Sequence, residues 1–220
     1  LAASESDGQL DGSVISGAIS LRGTNQSDTL IGNDQSNVIF VHADTQDGAG
    51  FGVDTVSAGG GDDSIRLEQT RYFPQWSQIF SDYDADTNSY LVSGAIDGGA
   101  GNDEFVVSIN ERWFHAGGGY SNEVRWGLDL TQLSMSNLEN LVFANRYNYG
   151  LDHIMLTASQ VASLGAIKGA KALIVMGGGD IDLDHLASIG ITTWRIGDAQ
   201  SYNITGTSAS DVITVAVGLL

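Results

Sequence analysis

Aspartate and glycine recur in this chain at fixed spacing, and together they supply the donors that bind hard cations. Gly98-Gly99-Ala100-Gly101-Asn102-Asp103-Glu104-Phe105-Val106 fits G-G-x-G-x-D-x-U-x at every fixed position, where U is a large apolar residue. Residues 58–66, with Gly59, Gly60, Gly61, Asp62, Asp63 and Ile65, fit with one change. Residues 49–57 precede them in the same register, with Asp54 sixth and Val56 eighth. Asp97 stands directly before Gly98 and adds a carboxylate. A glycine turn exposes carbonyl oxygens, the Asp adds a carboxylate, and oxygen ligands of this kind suit calcium. The competing reading is a set of glycine-rich turns in which Asp is only a turn former.

Weaker copies flank these. Residues 23–31 carry Asp28 sixth and Leu30 eighth, and run directly into 32–40, with Asp34 third, Asn37 sixth and Ile39 eighth. Residues 117–124 are a decayed candidate, and 206–214 echo the copy at 23–31. A separate acidic run, Asp82, Asp84 and Asp86, alternates like the start of an EF-hand loop. Thr87 stands where the turn glycine belongs and Ser93 where the closing Glu belongs, so a non-EF-hand calcium loop competes with an exposed acidic turn.

The nonapeptides resemble the RTX (hemolysin-type) calcium-binding repeat family, found in secreted bacterial adhesins and surface-layer proteins. The resemblance covers 49–66 and 98–106, and loosely 23–40 and 206–214. It implies Ca2+ as the bound ion and a chain that leaves the cell by type I secretion and folds outside. It also implies metal ligands among Asp28, Asp34, Asp54, Gly59, Gly61, Asp62, Asp63, Asp97, Gly99, Gly101 and Asp103.

These residues need elements to hold them. The glycine half of each repeat predicts a tight turn, and the x-U-x half predicts a short strand with U pointing inward. One repeat cannot bury its apolar residue alone, so neighbours must stack. The expected fold is therefore mostly β, a β-solenoid (β-roll or β-helix). An aromatic-rich insertion is placed at 68–93, and short capping helices are placed in the C-terminal half. The expected division is 1–125 for the calcium-binding part and 126–220 for a strand and short-helix continuation of the same core. In that continuation, 156–167 align with 181–192 at an offset of about 25 residues, within the range of structural repeats. Thr157 and Gln160 predict a capping box, Asp184 predicts a helix N-cap, and Gly165 and Gly190 predict helix C-termini. Asp180, Asp182 and Asp184 are expected to share the solvated face of one strand, with a cation site as the alternative.

Bulk composition agrees with a cation-binding exterior protein. Acidic residues outnumber basic ones 27 to 9, for a formal charge of −18. Nucleic acid is a poor partner for such a surface. There is no cysteine, so metal ions are a candidate substitute for disulfides. No stretch reaches the ~20 apolar residues of a membrane span. The N-terminus has no signal-peptide pattern and no initiator Met, which suits a processed chain or a segment of a longer array.

Catalytic motifs are not apparent. His42, His115, His153 and His185 show no zinc-ligand spacing, and neither a G-x-S-x-G elbow nor a phosphate loop is present. Arg112, His115, Tyr120 and Arg125 lie close in sequence but read better as ordinary surface or core residues. The expected function is non-catalytic: a calcium-stabilised extracellular structural or adhesive module, self-associating into a surface layer, filament or adhesin array. The alternative is a carbohydrate- or ice-binding module, or the accessory module of a secreted polysaccharide-modifying enzyme. A glycan or cell-surface ligand is then the partner, and the aromatic insertion is its main support.

Overall fold

The computed structural model describes residues 8–24, 27–41, 54–69, 83–84, 89–109, 127–144, 153–170 and 172–208. Its strands are short, from two to six residues each. They form four sheets. The first holds β1 (Gln9–Asp11), β3 (Thr29–Asn33), β5 (Asp54–Gly59), β9 (Gly94–Asp97) and β12 (Leu133–Ser136). The second holds β2 (Ser20–Arg22), β4 (Val38–Phe40), β6 (Ser64–Gln69), β10 (Glu104–Ile109), β13 (Asn140–Phe143) and β15 (Ala166–Lys168). The third holds β7 (Tyr83–Asp84), β8 (Ser89–Leu91), β11 (Gly127–Asp129), β14 (His153–Thr157), β16 (Leu173–Met176) and β18 (Trp194–Ile196). The fourth pairs β17 (Gly179–Asp182) with β19 (Tyr202–Thr205). Every described pairing is parallel except β7 with β8.

The register stacks like residues on like. In the second sheet Leu21, Ile39, Ile65, Phe105, Leu141 and Ile167 pair in one column, and each is buried. Burying a side chain of this size stabilises by roughly 1.5–3 kcal/mol. The first sheet supplies Leu30, Val56, Ile96 and Met135 as a second column. The third supplies Leu128, Ile154 and Leu173. Val106, Met155 and Ile174 alternate with these core residues and are buried too. Strands β10, β14 and β16 are thus apolar on both faces, the usual condition of parallel strands.

The β-solenoid expected from the repeats is corrected by this topology. The strands divide among four separate sheets and a closed solenoid is not shown. Parallel strands with two short helices are compatible with an α/β-type arrangement. Helix α1 follows β14 and α2 follows β17, so helices interrupt the passage between strands in the C-terminal half. The nonapeptide pattern encodes only the local turn and strand, so it could not reveal that separation.

The helices are α1 (Ala158–Ser163) and α2 (Leu183–Ser188). Thr157 and Gln160 form the predicted capping box. Asp184 is not the cap of α2: Asp182 is, accepting from the backbone N–H of Asp184 and His185 at 2.9 and 3.3 Å. The chain leaves β17 at Asp182, so that residue has the extended backbone a cap requires. Asp184 lies inside the helix, and the three acids do not share one strand. Gly190 follows α2 with φ +93°, as a C-terminal glycine should. Gly165 follows α1 without a positive φ, because Leu164 ends that helix in an extended conformation. No described helix is long and apolar enough to cross a membrane.

Candidate functional site

Strands β5 and β9 are neighbours in one sheet, and β6 and β10 are neighbours in the next. The turns joining them must therefore lie on one another, and these turns are the two strongest nonapeptides. Gly60 pairs with Ala100, Gly61 N–H donates to Ala100 O at 2.8 Å, and Ala100 N–H donates to Gly59 O at 2.9 Å. At Gly99, φ is +90°, and a Cβ there would lie 1.9 Å from Gly59 O. Only glycine allows turns to approach so closely. Gly59, Gly61 and Gly101 also hold positive φ in this stack. The turn between β3 and β4 lies on one side of the pair, and the turn between β12 and β13 on the other.

The sixth residue of each repeat builds a ladder across these turns. Asn37 N–H donates to Asp63 Oδ1 at 2.6 Å, Asp63 N–H to Asp103 Oδ1 at 2.7 Å, and Asp103 N–H to Glu139 Oε2 at 2.7 Å. Each carboxylate thus satisfies a backbone donor of the preceding turn. Sixth residues Asn37, Asp63 and Asp103 are buried at 1%, 2% and 0% exposure. The eighth residues Ile39, Ile65 and Phe105 are buried beneath them.

One oxygen of each ladder aspartate is left over. Asp63 Oδ2 and Asp103 Oδ2 are buried and accept no hydrogen bond. A buried carboxylate oxygen without a donor is costly, so it calls for a proton or a cation. Burial is the main force pushing the Asp63 carboxyl up to about 6, against the Asn37 N–H that favours its ionised form. Burial also raises Asp103, and the charges of Glu139, Asp62 and Asp97 add to the effect.

The remaining candidates fall into different roles. Asp62 is exposed and its Oδ1 accepts from Asn102 N–H at 3.0 Å. Asp97 Oδ1 accepts from Asn137 Nδ2 at 2.7 Å and from Gly99 N–H at 3.2 Å. Asp34 is exposed on the bend after β3. Asp28 and Asp54 belong to a second ladder at the entrance to β3 and β5. Asp28 accepts from Gly8 N–H and from both the N–H and the hydroxyl of Thr24, so its oxygens are committed. Asp54 Oδ1 accepts from Asp28 N–H at 2.9 Å, and burial pushes its carboxyl up to about 7. Asp84 lies on β7, while Asp82, Asp86 and most of the aromatic insertion lie outside the described residues. So do His42, Arg112, His115, Tyr120 and Arg125.

The candidates among the described residues therefore do not make one cage. Among the described residues no three His, Cys, Asp or Glu side chains gather as a metal-binding group. Asp63 and Asp103 run along the turn stack, where carbonyls of the glycine turns are the neighbouring oxygen donors. The donor set still fits a hard cation: an orphaned buried carboxylate oxygen in each of two stacked glycine turns. Two members of the stack carry no glycine signature. Glu139 closes the ladder from the turn before β13, and Asn137 there takes φ +50° in place of a glycine. Asn is the residue best able to do so, and only the pairing of β12 with β9 reveals its position. No protein-family model matches the chain, and no curated protein or solved structure matches it.

Proposed function

We propose that this chain is a non-catalytic, calcium-stabilised structural or adhesive module that works outside the cell. The observation that carries the reading is the pair of buried, unpartnered oxygens Asp63 Oδ2 and Asp103 Oδ2 in turns stacked directly on one another. Asp63 and Asp103, with carbonyls of the glycine turns, would hold the ions. A bound Ca2+ supplies positive charge where two acceptors face no donor. The chain's own part is to fix each carboxylate through its Oδ1 bond to the preceding turn, and to exclude water from the other oxygen.

Location follows from ion supply. Calcium is scarce in the cytosol and abundant outside, and a site that stabilises only when loaded favours folding outside. Secretion without a disulfide is then workable, and the chain has no cysteine. The formal charge of −18 supports the same setting, because cations relieve its self-repulsion. Self-association into a surface layer or filament is the biological role we attach to this module, since among the described residues strands such as β1 and β18 stand at the ends of their sheets.

Thermal melting followed by circular dichroism tests the reading. In millimolar Ca2+ the melting temperature should exceed that in millimolar EGTA, with Mg2+ restoring little of the difference. For ions held at about 100 times their dissociation constant, each site adds about 2.7 kcal/mol. Equal melting temperatures in the two buffers would refute calcium stabilisation. Electron microscopy of the same samples tests assembly: ordered polymers with Ca2+ support it, and monodisperse particles under both conditions refute it.

A further inference from the structure

We infer that Asn37 is a built-in substitute for a cation, so that the ion row starts one turn later, at Asp63. The inference rests on the calcium reading above and goes past it, because it says where the row stops and why.

Three observations carry it. First, Asn37, Asp63 and Asp103 are successive rungs of one ladder, linked through their backbone N–H groups. Second, Asn37 fills the position that the aspartates leave unsatisfied. Its Nδ2 donates to Asn33 O and to Ala58 O, both at 3.1 Å. One carbonyl belongs to its own turn and the other to the next turn in the stack. Third, the equivalence is spatial. A Cβ built on Gly32 would lie 2.0 Å from Ala58 O and 2.9 Å from Asn37 Nδ2. A Cβ built on Gly98 would lie 2.0 Å from Asn137 O and 2.8 Å from Asp103 Oδ2. The amide nitrogen of Asn37 and the orphaned oxygen of Asp103 thus sit at matching points beside matching carbonyls.

At that point the first turn has a donor between acceptors and is complete without any ion. The turn of Asp103 has an acceptor where the donor stood, beside the Asn137 carbonyl, and Asp63 Oδ2 likewise meets no donor. With the carboxylates ionised, only a cation completes them. Exchanging Asn for Asp at a rung changes one NH2 into one O− and leaves the carboxyl-like Oδ1 in place. A single atom therefore decides whether a turn needs a cation.

Calorimetric titration of CaCl2 into the calcium-stripped full chain tests this, with each variant compared with wild type. Asn37→Asp should bind one more calcium than wild type. Asp63→Asn and Asp103→Asn should each bind one fewer, and each should melt higher than wild type in EGTA. Unchanged stoichiometry in Asn37→Asp together with no loss in the two Asn variants overturns the inference while leaving calcium binding intact. If Asn37→Asp does not fold, the two Asn variants decide alone: a full loss of one ion each supports the substitution, and no loss sinks it. If wild type binds no calcium, it is the functional reading that fails. Melting in EGTA then decides the amide equivalence, supported by higher values for Asp63→Asn and Asp103→Asn and overturned by lower ones.

Discussion

Replacing Gly99 by alanine probes the contact that brings the two glycine turns together. The new Cβ would lie 1.9 Å from Gly59 O, whereas real Cβ contacts almost never fall under 3.0 Å, so one turn must retreat by about 1 Å. Gly59 O is also the acceptor for Ala100 N–H at 2.9 Å. Breaking that bond costs about 1 kcal/mol. Holding alanine at φ +90° costs about 1–2 kcal/mol more. The expected loss is therefore about 2–3 kcal/mol, or a fall in melting temperature of about 4–12 °C for a chain of this size. Gly60→Ala is the control. A Cβ there has nothing closer than 3.5 Å, and Ala100 already occupies the matching place in the next turn. That variant should be neutral within about 0.5 kcal/mol. Urea denaturation of both variants in saturating calcium gives the two numbers. Equal effects at Gly60 and Gly99 would refute the stacked-turn geometry.

Other expectations follow from single contacts. Gln160 Nε2 donates to the buried carbonyls of Leu130 and Leu133, and its Oε1 accepts from Thr157 N–H, so Gln160→Ala should cost about 2–4 kcal/mol in urea denaturation. Asp182→Ala should cost about 0.5–2 kcal/mol through loss of the α2 cap, while Asp184→Ala should cost almost nothing, and the reverse order would contradict the assignment. Asp54 keeps its proton to about pH 7 when folded and releases it near 3.8 when unfolded, so between those values the folded chain binds more protons. The stability it contributes is full below pH 3.8 and lost as pH rises through 7, on the order of a few kcal/mol. In calcium-free buffer the urea midpoint should fall from pH 4 to pH 7, and fall less in Asp54→Asn; a midpoint that rises with pH would count against buried, neutral carboxyls.

The nonapeptide pattern located much of this local chemistry because it is local. The sixth residues Asp28, Asn37, Asp54, Asp63 and Asp103 are buried, and so are the eighth residues Leu30, Ile39, Val56, Ile65 and Phe105. Turn and strand follow each other within nine residues, so no distant information is needed. What lies over what is a different matter. Asp63 bonds to Asn37 across 26 residues and to Asp103 across 40, because the segments between turns differ in length. Glu139 joins the ladder with no glycine near it in sequence, so its role depends on strand register. The helix cap was misplaced by two residues, since Asp182 and Asp184 are chemically alike and only the end of β17 decides between them. The division into four sheets was invisible for the same reason, because repeats specify turns and not how far each sheet extends.

Crystals of the intact chain grown in calcium, measured at a long wavelength where calcium scatters anomalously, test the central claim most directly. Anomalous peaks should stand beside Asp63 Oδ2 and Asp103 Oδ2, and none beside Asn37 Nδ2. A calcium-saturated crystal with no peak at either aspartate would contradict the account.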